Sequence, residues 1–270
     1  MSAPTPTIPT PLGAASLTLF AWAITLFGTG LASGAEGAIS LAIGLCLGFG
    51  GVGTLAARAV PAPADRRIGL RGFAPRFALP VLLMAPAIVL VSEIDNWVRP
   101  LFPRGPALEA VAASGGGRYA AFEAVITLVL LRPVLEEFFF RGVVQQGLVA
   151  HLGFPAGLLQ TAILSGLASG GLLLVAGPDR AASAAAQGAF AALLLGTLRQ
   201  GSGSLLAPIL AAVLMQSAGV AAVAAAERFP IQGFTGASGE HTPLAILAAC
   251  AAPVALGCFL ALRAPAAEGD

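Results

Sequence analysis

The chain alternates between long runs of apolar residues and short polar connections. Eight runs approach the length of about 20 apolar residues that a helix needs to cross a bilayer. They span residues 14–32, 38–57, 77–91, 119–150, 155–176, 183–198, 204–226 and 243–262. The third run is short, and the fourth is too long for one straight crossing. Because the strict alternation of barrel strands is absent, the pattern predicts an all-α, polytopic bundle of about eight transmembrane helices.

Composition agrees with this pattern. Of the 270 residues, 57% are hydrophobic and 10% are charged, whereas soluble domains contain about 25% charged residues. The high apolar content predicts membrane lipid as the environment of the chain. The net charge of +1 creates no field that would attract nucleic acid. The three cysteines all lie within apolar runs, and neither a metal site nor a cofactor is predicted.

Arginine and glycine placement adds two expectations. The 58–76 connection holds five arginines, and because cytoplasmic connections are enriched in such residues, it is predicted to be cytoplasmic. A cytoplasmic 58–76 connection, which follows two crossings, places the N-terminus in the cytoplasm, and eight crossings return the C-terminus to the same side. Five other arginines fall near the opposite side, which weakens the asymmetry. The second run carries five glycines, at positions 44, 48, 50, 51 and 53, which predict close packing between helices.

Four charged residues interrupt the fourth apolar run: Arg132, Glu136, Glu137 and Arg141. Each charge at the centre of a membrane helix costs about 2.5–3.5 kcal/mol, whereas each leucine or phenylalanine returns only about 0.3–0.6 kcal/mol. We therefore expect these side chains to face a protein interior or a wet cavity. Pro133 in the same run frees a backbone carbonyl and favours a kink.

Spacing along this helix predicts how the charges pair. Glu137 precedes Arg141 by four residues, which is the favourable order for a helical ion pair. Glu136 lies about 100° around the helix and stays available unless Arg132, four residues earlier, binds it. The four residues form either a charge-balanced network that fixes helix packing or a functional site.

The run EEFFFRG at 136–142 resembles the EExxxR signature of the CAAX protease and bacteriocin-processing family, also called Abi proteins, which are intramembrane endopeptidases. Two further stretches are similar to family segments: IGLRG at 68–72 and LLLGTLRQGSGSLLAPIL at 193–210. The resemblance covers about residues 68–220 and implies a helical core with a conical cavity. It implies a membrane protein of the bacterial plasma membrane.

This resemblance divides the chain into three parts. Residues 1–67 form an N-terminal two-helix hairpin with its cytoplasmic linker, and residues 68–226 form the family-like membrane core. Residues 227–270 form a loop and a C-terminal membrane helix.

The resemblance also implies a mechanism. The signature contains Glu136, Glu137 and Arg141. Its first glutamate, Glu136, would act with a histidine to activate a water molecule that attacks the peptide carbonyl. A second histidine and an asparagine would stabilise the oxyanion. The chemistry is sound, because a carboxylate base needs a positioned water and developing negative charge needs aimed donors.

This chain replaces both histidines. The family's FxxxH motif aligns with Ser165 and Ser169, and its HxxxN motif aligns with Ala212 and Gln216. Ser169 would need an adjacent base to act as a nucleophile; beside two glycines, it is more typical of a helix contact.

The two histidines elsewhere in the chain are not expected to substitute. His151 lies about 22 Å from Glu136 along a continuous helix, and His241 precedes the last apolar run. Both are interpreted as solvated or interfacial.

Three classes of function stay open. Losing both imidazoles removes roughly 10⁴-fold in rate or more, which favours a catalytically degenerate pseudoprotease that binds or regulates a membrane-proximal peptide or protein. The alternative is an active endopeptidase in which Glu136 activates water. A transporter that uses Glu136 and Glu137 as a proton relay is the third class.

Overall fold

The computed structural model describes residues 9–32, 37–104, 118–235 and 240–263. Eight long helical segments and two short ones, Ala64–Ile68 and Leu174–Ala176, run through these ranges, and no strand occurs within them. The eight long segments are the membrane helices of the bundle. They are α1 (Pro11–Leu31), α2 (Gly37–Arg58), α3 (Pro75–Leu101), α4 (118–152), α5 (Phe154–Leu172), α6 (Pro178–Ser202), α7 (Leu206–Ala224) and α8 (Leu244–Arg263). The prediction of an all-α bundle of about eight helices is confirmed.

The helices present a lipid-facing exterior. Six of them, α1, α2, α3, α6, α7 and α8, are long and apolar enough to cross a membrane. Large apolar side chains point outward along them: Phe27, Leu55 and Leu82 are 63%, 64% and 59% exposed. Exposed apolar surface of this extent marks a membrane-contacting protein. The chain is an integral membrane protein.

Successive helices run in opposite directions: Gly28, near the end of α1, packs against Gly44, near the start of α2, and Gly170, near the end of α5, packs against Ala181, near the start of α6. We call the end of the bundle that holds the 59–74 connection the linker face, and the opposite end the loop face. Pro9 packs against Gly147 near the end of α4, and Ala261 packs against Gly201 near the end of α6. Both described ends of the chain therefore lie at the linker face.

Two helices are longer than the sequence predicted. α3 was expected to end at residue 91 but extends to Leu101, so the first part of the predicted 92–118 connection is helical. Residues 105–117 of that connection lie outside the described residues. α6 likewise begins at Pro178 rather than at residue 183. An apolar run in the sequence ends at the first polar residues, whereas the helix itself continues where those residues form hydrogen bonds or ion pairs.

Those partners form a polar cluster at the loop face. Glu93 accepts hydrogen bonds from the Asn96 amide at 2.9 Å and from the backbone N–H of Thr242 at 2.9 Å. Asn96 also donates to the carbonyl of Gly233 at 2.8 Å. These bonds fasten the segment between α7 and α8 onto α3.

The glycines of α2 produce the close packing that the sequence predicted. Gly44 and Gly48 face α1 so closely that an added Cβ atom would collide with its backbone, and Gly50 and Gly53 face α4. An added Cβ on Gly51 would approach only a carbonyl of its own helix, so this glycine does not contribute to the packing.

Aromatic packing sets the rotation of α4 about its axis. Phe139 and Phe140 are 0% and 1% exposed, and their ring centroids lie 5.3 Å and 5.5 Å from that of Phe49 on α2. Aromatic pairs at such separations add stability beyond area burial. With these rings held against α2, the neighbouring charged side chains are directed towards the interior.

Candidate functional site

An internal cavity of about 440 Å³ lies between the helices. The charged residues of α4 line it: Arg132, Glu136, Glu137 and Arg141. Apolar side chains complete the walls, among them Ile88, Val91, Leu172, Leu195 and Met215. The charges are therefore turned inward, which agrees with the cost of exposing them to lipid.

The cavity lies in the middle of the bundle and extends towards the loop face. The lining residues of α1 and α5 include Thr29 and Leu172, near the ends of these helices at that face, whereas Ile88 and Val91 come from the middle of α3. Ala184 on α6 comes from the start of its helix, at the same face.

The deeper ion pair joins Glu137 and Arg141. Arg141 Nη1 lies 2.9 Å from Glu137 Oε1, and the two side chains are only 3% and 4% exposed. This pairing is the one that the four-residue spacing predicted. Glu137 Oε2 and Arg141 Nε are buried and have no hydrogen-bond partner among the described residues. Such buried polar atoms are uncommon in proteins, so the pair has capacity for a further polar contact.

The shallower ion pair joins Glu136 and Arg132. Arg132 Nε donates to Glu136 Oε1 at 2.8 Å, and the side chains are 34% and 21% exposed respectively. The sequence left open whether Glu136 stays available, and in the structure Arg132 binds it. One oxygen of the carboxylate that the family resemblance assigns as the base is thus bound by a guanidinium.

The four replaced motif positions meet at this cavity. Ser165, Ser169, Ala212 and Gln216 all line it together with Glu136. The Ser169 hydroxyl donates to the Ser165 carbonyl at 3.0 Å, a bond within one helix. The geometry brings the predicted positions together, while their roles in binding or catalysis stay predictions.

Neither histidine is among the residues that line the cavity. His151 lies in the last turn of α4, near the linker face. His241 Nδ1 lies 2.7 Å from Glu93 Oε1 at the loop face, and its ring stacks near that of Trp97. The contact with Glu93 was not predicted, because it joins residues far apart in the sequence. Among the described residues, no group of three or more His, Cys, Asp or Glu side chains could hold a metal ion.

Sequence reasoning missed two polar residues of the cavity, Thr29 on α1 and Gln187 on α6. The Gln187 amide donates to the Ser183 hydroxyl at 3.4 Å, and Ser183 in turn donates to Asp95. Polar groups therefore connect the cavity with the loop face. A lone amide within the alanine-rich stretch AASAAAQGAF was the available signal, since polar side chains inside membrane helices face the protein interior.

Together, the fold and the site define a polytopic membrane protein with a charged interior cavity. Residues 119–218 match the family model Rce1-like: Type II CAAX prenyl endopeptidase Rce1-like. The matched range contains the EExxxR run and all four replaced positions, so the resemblance to the CAAX proteases is confirmed for this part of the chain. The 68–72 stretch lies outside that range. Comparisons with curated proteins and with solved structures gave no match.

Proposed function

We propose that this protein is a catalytically degenerate relative of the intramembrane endopeptidases, whose cavity binds a membrane-proximal peptide or protein without cleaving it. One observation carries the proposal: Glu136 is bound by Arg132 at 2.8 Å inside the cavity that also holds the replaced positions. A general base must be within hydrogen-bond reach of the water it activates.

The residues at the histidine positions do not supply the missing chemistry. The Ser169 hydroxyl is engaged by a helix carbonyl, and the methyl group of Ala212 can neither donate nor accept a proton. A positioned acid–base group is worth about 10²–10⁴-fold in rate, and an oxyanion donor about 10²–10³-fold. Glu136 by itself therefore supports little peptide hydrolysis.

The same cavity has groups that suit a bound peptide. An extended peptide presents backbone polar groups and side chains that alternate in direction. Arg132, Gln187 and Gln216 offer charged and amide donors on different helices, and Val91 and Met215 offer apolar contacts. Ligand sites combine these features, with apolar walls for affinity and a few polar groups for orientation.

The proposal includes an orientation in the membrane. Seven of the fourteen arginines belong to the linker face: Arg58, Arg66, Arg67, Arg71, Arg76, Arg199 and Arg263. Five belong to the loop face, so the positive-inside rule favours a cytoplasmic linker face. Both termini would then be cytoplasmic, in the plasma membrane of a bacterium. The cavity would receive its ligand from the non-cytoplasmic side.

Orientation is tested by cysteine labelling in intact cells. With the three native cysteines replaced by alanine, Gln232→Cys reports on the loop face and Ala62→Cys on the linker face. An impermeant maleimide should label only Gln232→Cys before lysis and both positions afterwards. Labelling of Ala62→Cys alone in intact cells would reverse the proposed orientation.

Function is tested with the full chain in lipid nanodiscs and a set of membrane-tethered peptides. A photoreactive residue at Met215 should crosslink to a subset of these peptides, and mass spectrometry should find no cleavage above that of Glu136→Ala. Arg132→Gln should weaken crosslinking, whereas Glu227→Gln, an exposed site outside the cavity, should not. Robust cleavage by the unmodified chain that disappears in Glu136→Ala would refute the proposal.

A second candidate is an active endopeptidase with Glu136 as base. It is favoured by the partial exposure of the Glu136–Arg132 pair to the cavity, because an incoming substrate could open that pair. The same nanodisc assay separates the two candidates. An enzyme should cleave the peptide and lose this cleavage in Glu136→Ala, whereas a binding protein should crosslink to the peptide without cleaving it.

A further inference from the structure

A second group of charged residues lies at the linker face, away from the cavity. Arg199, in the last turn of α6, is 9% exposed. Its Nη2 donates to the carbonyl of Arg67 at 2.8 Å. Its Nε is buried and has no hydrogen-bond partner among the described residues. The bond to Arg67 fastens the linker to α6, but it leaves part of the guanidinium without an acceptor.

Arg71 of the linker lies beside Arg199, close enough for the two charges to repel each other. Its Nε donates to the carbonyl of Gly203 at 3.3 Å. In the part of the chain that the structure describes, no carboxylate lies within 4.0 Å of either guanidinium. Two neighbouring cations, one of them buried, are unfavourable without an anion.

The backbone is shaped around these two side chains. Gly69 and Gly203 have positive φ angles of 81° and 63°. A Cβ atom on Gly69 would collide with the Arg199 guanidinium, and one on Gly203 would collide with that of Arg71. The Leu205 N–H donates to the Gly69 carbonyl at 2.8 Å, which holds the two turns together. Each guanidinium therefore lies against one of the two linked turns and donates to a backbone carbonyl.

We infer that Arg71 and Arg199 together bind the phosphate group of an anionic phospholipid. Arginine forms paired, charge-assisted hydrogen bonds with phosphate oxygens. Basic pockets between membrane helices commonly hold lipid head groups. A phosphate here would neutralise the positive charge of both guanidiniums.

A lipid fits this position better than free phosphate. The site lies at the membrane end of α6 and α7, where head groups of the surrounding bilayer are found. Leu70 and Leu206, each next to a turn of the site, are 59% and 43% exposed. They offer an apolar surface to the acyl chains of a lipid whose phosphate is bound by the arginines. The inference concerns residues outside the cavity and does not depend on the proposed function.

The test compares anions on the purified full chain in a non-ionic detergent. The probes are dihexanoyl phosphatidylglycerol, dihexanoyl phosphatidylcholine and inorganic phosphate, and the readout is the thermal unfolding midpoint across a titration of each. Phosphatidylglycerol should raise the midpoint, and the other two should not. Arg71→Gln and Arg199→Gln should weaken the apparent phosphatidylglycerol affinity about tenfold or more.

The matched control is Arg58→Gln, because Arg58 is an exposed arginine at the same face. Its removal should weaken the affinity about fivefold at most, the effect of one surface charge. Equal losses in Arg58→Gln and Arg71→Gln would overturn the inference in favour of diffuse attraction. Stabilisation by inorganic phosphate at least equal to that by phosphatidylglycerol would overturn the lipid assignment, and so would no effect of phosphatidylglycerol. If Arg199→Gln fails to fold, the exposed Arg71 decides the test.

Discussion

Glu136 accepts a hydrogen bond from Arg132, which lies one turn of α4 nearer the loop face. The next residue, Glu137, pairs instead with Arg141, which lies one turn nearer the linker face. Two adjacent glutamates therefore have different surroundings. The outer pair is partly exposed to the cavity, and the inner pair is almost completely buried. This asymmetry distinguishes a pair that is partly open to the cavity from a pair that is buried between the helices.

The first prediction follows from this difference in burial. Glu137→Ala should lower the free energy of unfolding by about 3–5 kcal/mol, because it leaves Arg141 buried without its partner. Glu136→Ala should cost about 1 kcal/mol or less, since its pair is partly solvated. Thermal unfolding and the monodisperse fraction on size-exclusion chromatography measure both effects. Equal losses in the two variants would contradict a structural role specific to Glu137.

The second prediction concerns restoring the site. The triple change Ser169→His, Ala212→His and Gln216→Asn should give peptide cleavage that depends on Glu136, because all three positions line its cavity. Single changes should do little, since catalytic groups that act as a unit are non-additive.

Space limits this restoration. Ala212 is 8% exposed, and enlarging a packed residue commonly costs about 1–3 kcal/mol. Ser169 also packs against Gly188 of α6. Cleavage of a membrane-tethered peptide is compared between the triple variant and the same variant with Glu136→Ala. A well-folded triple variant without activity would show that the cavity no longer presents the catalytic positions correctly.

The third prediction concerns helix packing. Gly48→Ala should destabilise the fold by about 1–3 kcal/mol, because the new Cβ would collide with Thr25 and the Ala21 carbonyl of α1. Gly30→Ala is the matched control, since nothing lies within 4 Å of its added Cβ. The control should be neutral or stabilising by up to about 1 kcal/mol. Similar unfolding midpoints for the two variants would show that α1 and α2 do not pack at Gly48.

The fourth prediction concerns the polar cluster at the loop face. Glu93→Ala removes the acceptor of Asn96 and of the Thr242 N–H, so the segment before α8 should detach from α3. Limited proteolysis should then cut between residues 230 and 243 faster than in the unmodified chain. Glu227→Ala, an exposed residue between α7 and α8, should leave the cutting rate unchanged. Unchanged cutting in Glu93→Ala would show that the cluster does not hold this segment.

The limits of sequence prediction are visible in particular residues. The pairing of Glu137 with Arg141 followed from their four-residue spacing, because helix geometry alone brings such positions together. Whether Glu136 is free or bound by Arg132 could not be predicted, since two arrangements satisfy the same spacing. Gln187 was missed because its position at the cavity depends on the rotation of α6 against α4 and α7.

The sequence by itself determined the membrane location, the all-helical class and the presence of buried charges in α4. These properties follow from local composition, because each apolar residue lowers and each charge raises the free energy of insertion independently of the rest of the fold. Only the tertiary structure decided that α3 continues to Leu101 and that residues from six other helices share a cavity with Glu136. It also decided that Arg71 and Arg199 lie side by side, with no carboxylate of the described residues within 4.0 Å. These relationships join distant parts of the chain, and they depend on how the helices rotate and pack rather than on any local pattern.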